Sequence, residues 1–122
     1  PAPVAPSRRL STPLEDISET AAIAISPEAY EEVWTRYNRG ERQIFTRALY
    51  TADGQQTFDD VRRRYQRDRE FRGLVDRYVD DFEQTMTEAA EADTTGRRSR
   101  GYLFSTTGKL YTLLAHASGR LS

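Results

Sequence analysis

The feature that most constrains this chain is a run of apolar residues through its second half. Phe71, Leu74, Val75, Tyr78, Val79, Phe82 and Met86 fall at i, i+3, i+4, i+7, i+8, i+11 and i+15. A helix of 3.6 residues per turn gathers these onto one stripe, whereas a strand scatters them over both faces. Asp68 stands ahead of the stripe as a capping residue, so the pattern predicts a helix over about residues 69–92. A helix apolar on one side only must be covered, and the rest of the chain offers other helices to cover it.

The chain opens on Pro1, not Met, and reads as a piece of a longer protein. Residues 1–11 (PAPVAPSRRLS) carry three prolines in six positions, which block a helix and predict a mobile, extended linker. No apolar stretch follows its arginines, so it is not a signal peptide. Residues 12–25 predict a short or partner-dependent helix, with Thr12 and Glu15 as a capping box and a thin stripe of Leu14, Ile17, Ala21 and Ile25. Outside a bundle, such a segment could also be exchanged between two copies. Ser26-Pro27-Glu28 is a strong helix start. Tyr30, Val33, Trp34 and Tyr37, then Ile44, Phe45, Ala48 and Leu49, predict one helix over residues 27–50, bent at Gly40. Thr51–Gly54 reads as a turn, and Thr57 as the cap of the next helix, whose inner face is Phe58, Val61 and Tyr65. Residues 93–101 read as a polar loop, and Ser105, Thr106 or Thr107 as the cap of a last, largely buried helix that stops at Gly119. The fold class is therefore all-α: a small antiparallel bundle of three to five helices over residues 26–122, with a Pro-rich N-terminal linker.

Composition narrows the chemistry. The chain has 18 basic and 19 acidic residues, so bulk charge does not make it a nucleic-acid binder. It has no Cys, hence no disulfide framework, thiolate metal site or Cys nucleophile. Its 122 residues fit one domain, and no apolar run nears the roughly 20 residues of a membrane helix.

Reactive residues are sparse. His116 is the single His; it lacks a metal-binding companion and lies on an apolar helix, where a packed imidazole is the simpler reading. A triad with Ser105 or Ser118 lacks any nucleophile elbow. Thr106-Thr107-Gly108-Lys109 is not a phosphate loop, because six residues separate Gly101 from Gly108 and Leu110 follows the Lys. Neighbouring carboxylates such as Asp80-Asp81 do not face each other on a helix. The arginines from Arg62 to Arg72 alternate with acids, and pairs such as Asp60–Arg64 and Asp68–Arg72 predict a solvated, ion-paired face. No catalytic residue, cofactor site or metal site is expected. Two sets stand out as candidate interaction surface. Tyr30, Trp34 and Tyr37 form either a recognition groove or core, while Tyr50, Tyr65 and Tyr102 are expected to be partly exposed. Arg97, Arg98 and Arg100 lie where residues 97–120 carry five positive charges and no negative one; they read as an ordinary exposed loop first, and otherwise as a place to meet phosphate, anionic lipid or an acidic partner.

Three strings carry a family resemblance: Arg36-Tyr37 with Gly40-Glu41-Arg42; Gly54-Gln55-Gln56-Thr57-Phe58; and Thr107-Gly108-Lys109-Leu110-Tyr111 with Leu114-Ala115-His116-Ala117. Over residues 27–121 the chain resembles the C-terminal end of the very large coiled-coil proteins of polar-growing alphaproteobacteria, the apolipoprotein-like or kinesin-like growth pole ring family. The resemblance implies a scaffold in place of an enzyme. The parent would be membrane-tethered and cytoplasmic at the growing pole, organising wall synthesis, with this domain as its terminal cap. The family supplies no functional residue to carry over. Residues and resemblance together point to a non-catalytic module that binds itself or another polar scaffold protein. Binding of nucleic acid or an anionic surface through Arg97–Arg100 is the alternative.

Overall fold

A computed structural model of the chain describes Leu14 and residues 17–121. The expected linker at 1–11 lies outside the described residues. The described chain is all-helical: α1 over residues 17–24, α2 Pro27–Asn38, a 3₁₀ turn Arg47–Leu49, α3 Ala52–Arg67, α4 Arg69–Ala92, α5 Arg97–Leu103 and α6 Thr106–Ala117. Its core joins residues from every one of these helices.

The helix starts follow their caps. Ser26, Thr51, Asp68 and Ser105 each accept a backbone N–H of the following first turn through their side chains. Asp68 both ends α3 and caps α4, so these helices meet across a single residue. The α4 stripe faces inward as predicted, with Phe71, Val75, Val79 and Phe82 buried. α6 is buried on nearly every side, from Leu110 to Ala117. It packs on α4: Thr107 meets Tyr78 and Tyr111 stacks on Phe82, and beyond the end of α6 Arg120 pairs with Asp80 and Glu83.

Several boundaries differ from the sequence reading. The helix expected over 27–50 ends at Asn38. Gly40 adopts φ +98° and acts as a stop, where Gly40 N–H bonds Tyr37 O and Glu41 N–H bonds Arg36 O. Residues 41–46 then run outside any helix, and Gln43 holds a left-handed φ of 60°. α3 begins at Ala52, capped by Thr51; Asp53 and Gly54 lie in its first turn and form no separate turn. Residues 97–101 of the expected loop, together with Tyr102 and Leu103, form α5. The segment 12–25 supplies α1, which packs on its own chain: Leu14, Ala21, Ala24 and Ile25 are buried, and Ile25 bridges to Tyr50. Asp60 pairs with Arg63 in place of Arg64. Asp68 caps Phe71 and faces Arg64, while Arg72 donates to the Tyr65 and Gln66 carbonyls.

Candidate functional site

The aromatic set on α2 separates into core and surface. Tyr30 is 1% exposed; its hydroxyl donates to the Leu103 carbonyl at 2.5 Å and meets Thr112 Oγ1 at 3.1 Å. Burial pushes the Tyr30 hydroxyl up to about 12, against the smaller opposing effects of Thr112 and Trp34. Thr112 passes the chain on by donating to Gly108 O. This buried link ties α2 to α5 and α6. Trp34 is also buried, edge-on to Tyr30, Tyr37 and Phe45. Its Nε1 has no hydrogen-bond partner among the described residues. Tyr30 and Trp34 are therefore core, not surface, because their apolar bodies are needed to close α2 on the bundle. Tyr37 remains half-buried beneath the Arg42 guanidinium, which lies 3.8 Å from its ring centroid.

His116 is packed inside. Its ring stacks on Tyr50 and sits 4.5 Å from the Phe58 centroid and 6.0 Å from that of Phe45. The Tyr50 hydroxyl lies 2.7 Å from Nδ1. Burial first, and the Arg62 charge second, push the imidazole down to about 4, with the Phe45 backbone pulling weakly the other way. The ring is neutral at pH 7 and shielded, at 7% exposure. Tyr50, expected to be partly exposed, is buried: its ring stacks on Phe58 and His116 and its hydroxyl meets His116 Nδ1, a partner 66 residues along the chain. Tyr102 is exposed and Tyr65 half-exposed, as read from the sequence.

The arginine set is also divided. Arg97, Arg98 and Arg100 are exposed on α5. Arg100 pairs with Glu31 at 3.1 Å and covers the Phe104 ring. The Arg98 backbone N–H bonds the Asp93 carboxylate, which Thr95 above all holds below its usual range. The set is thus a rim on a short helix with one member already neutralised.

A third feature was absent from the sequence reading. Between the outer face of α2 and residues 44–49 lies a cleft of about 250 Å³. Ala29, Val33, Ile44, Ala48 and Leu49 line it with apolar surface, and Glu32, Arg36 and Thr46 add polar groups. The spacing of Ala29, Glu32, Val33 and Arg36 is one helix face; the opposing wall exists only because Gly40 ends α2 and turns the chain back. Gly40 and Thr46, the latter capping the 3₁₀ turn, were the available signals. Beyond it, Ile23 is 77% exposed on α1. Among the described residues no group of three His, Cys, Asp or Glu is placed to hold a metal ion, and no helix is long and apolar enough to cross a membrane.

Comparison of the chain with known proteins finds no matching family model, no matching curated protein and no matching solved structure.

Proposed function

We propose that this chain is a non-catalytic module for protein–protein interaction or self-association, ending a large scaffold protein. The observation that supports this reading is the division of labour between core and surface. His116, Tyr50, Tyr30 and Thr112, the side chains with most chemistry to offer, are spent joining helices to one another. A general base must reach a substrate proton, and the His116 ring is enclosed. The surface instead offers an apolar cleft with charged residues beside it, and the exposed Ile23. An apolar centre with a polar rim is how a protein surface receives a partner's side chains. The anionic-surface reading has less support, since Glu31 already neutralises Arg100.

The parent scaffold, the cytoplasmic growing pole and a polar partner rest on the three sequence strings alone. A fluorescent fusion of this chain in a polar-growing alphaproteobacterium tests that part: a polar focus supports it, and a uniform signal removes it. The interaction reading is tested by light scattering on size-exclusion chromatography over a wide concentration range, comparing the native chain with Ala48→Glu and Ile23→Ser. A dimer weakened by Ala48→Glu supports self-association through the cleft, while one weakened by Ile23→Ser alone moves it to α1. A monomer throughout directs the surface to another protein. Binding to nucleic acid or anionic vesicles that Arg97→Ala and Arg98→Ala abolish would replace the reading.

A further inference from the structure

We propose that residues 41–48 form a strap that opens as a unit while the bundle stays folded, and that the neutral His116 side chain is the latch holding it shut over α2. The geometry assigns both roles. Among the described residues, no backbone N–H from Arg42 to Arg47 bonds a backbone carbonyl. Its backbone-to-backbone ties lie at its ends, and the exposed Arg42 and Arg47 add side-chain bonds to the Tyr37 carbonyl and to Asp59 and Gln55 of α3. At one end Gly40 and Glu41 bond back to α2; at the other Leu49 O accepts Ser26 N–H and Thr51 N–H bonds Ala24 O. Between them stand the left-handed Gln43, exposed side chains at Arg42, Thr46, Arg47 and Ala48, and the open cleft beneath. Few ladder bonds, local strain and incomplete packing mark a segment of low local stability. One buried side chain anchors its middle: Phe45, edge-on to Trp34 and tilted against His116.

His116 holds this anchor and the strap's end together. Its ring packs on Phe45 and on Tyr50, and Nδ1 meets the Tyr50 hydroxyl. With that hydroxyl as donor, the neutral ring carries its proton on Nε2. The groups facing the ring are the Tyr50 hydroxyl, the Phe45 backbone, the apolar Phe58 and the Arg62 guanidinium of α3. A second proton would place a cation in this enclosure beside Arg62 and force the Tyr50 hydroxyl to turn and accept. In the closed state the imidazole is pushed down to about 4, while in the opened, hydrated state it returns to its ordinary value near ~6.5. The opened state therefore takes the proton first. The opening constant is level well above about pH 6.5 and climbs as pH falls, by roughly 150-fold at about pH 4, and levels off near roughly 300-fold below about pH 3.

Trp34, the single Trp, lies against Phe45 and reports the opening. In an acid titration of the full chain, Trp34 emission should shift to the red at a higher pH than the loss of far-ultraviolet ellipticity. Emission and ellipticity changing together, or emission unmoved down to about pH 3, would overturn the proposal. At neutral pH, limited trypsin digestion gives an independent reading. The first cut within residues 17–121 should fall at Arg42 or Arg47. Tyr50→Phe, which removes one buried hydrogen bond, should speed it about fivefold to tenfold with ellipticity unchanged. A first cut in a helix, or an unchanged rate, would count against the strap. Should Tyr50→Phe fail to fold, the acid titration of the native chain decides.

Discussion

Changing Gly108 to Ala tests how closely α5 and α6 meet. A Cβ built on Gly108 would stand 2.1 Å from Leu103 O and 2.3 Å from Tyr102 O, where ordinary contact is 3.4–4 Å. The obstructing atoms are backbone, so the start of α6 must move by about 1 Å or more, away from a site fixed by the Ser105 cap. Overpacking of this kind costs about 1–3 kcal/mol. The shift also draws the Leu103 carbonyl from the Tyr30 hydroxyl, a buried bond worth about 1 kcal/mol. The helix propensity of Ala returns at most about 1 kcal/mol. A net loss of about 1–4 kcal/mol is expected, a large share of the roughly 5–15 kcal/mol typical of a domain. Gly73, exposed in the second turn of α4 with nothing within 4 Å of where a Cβ would stand, is the control. There the same substitution should stabilise by about 0.5–1 kcal/mol. Urea denaturation followed by far-ultraviolet ellipticity reads both variants. A Gly108→Ala midpoint at or above that of the native chain, or the same sign at both positions, would refute the reasoning.

Two further outcomes follow from buried and capping contacts. Tyr30→Phe leaves the Leu103 carbonyl without its donor and should cost about 1–3 kcal/mol; combined with Thr112→Val the losses should fall short of additive, because the two hydroxyls share one chain of bonds. Asp68→Ala should cost about 1 kcal/mol through loss of the α4 cap, with little further loss from its exposed partner Arg64, as denaturant midpoints will show.

How much of this was legible in the sequence depended on whether the signal was local. The stripe from Phe71 to Met86 and the cap at Asp68 are local and strong, and they matched α4 to its ends. Ser26-Pro27 marked the start of α2 equally well. The end of α2 was misread because Ile44, Phe45, Ala48 and Leu49 keep helical spacing by coincidence: Phe45 and Leu49 enter the core from a strap and a 3₁₀ turn. Asp53-Gly54 looked like a turn, yet Gly54 is required where α3 meets Ala24; a Cβ there would stand 2.0 Å from the Ala24 carbonyl. α5 carries Tyr102 and Leu103 as its only apolar side chains, too few for a period, and packs against α4 and α6. The candidate site suffered most, since it is made by the chain turning back at Gly40. Long-range pairs such as Tyr50 with His116 leave no mark on either local string. The arginines at 97, 98 and 100 were read correctly as exposed, while the Arg100–Glu31 pair spans 69 residues and could not be seen.

On the proposed function, the interaction surface of this domain is the cleft between α2 and residues 44–49. The most direct measurement is amide chemical-shift mapping by nuclear magnetic resonance across a concentration series of the native chain, followed by addition of a short DNA duplex and of anionic vesicles at low salt. Self-association through the cleft predicts concentration-dependent shifts confined to residues 29–36 and 44–49, with neither addition disturbing residues 97–103. Silence over 29–49 together with shifts centred on Arg97 and Arg98 when DNA or vesicles are added would contradict it.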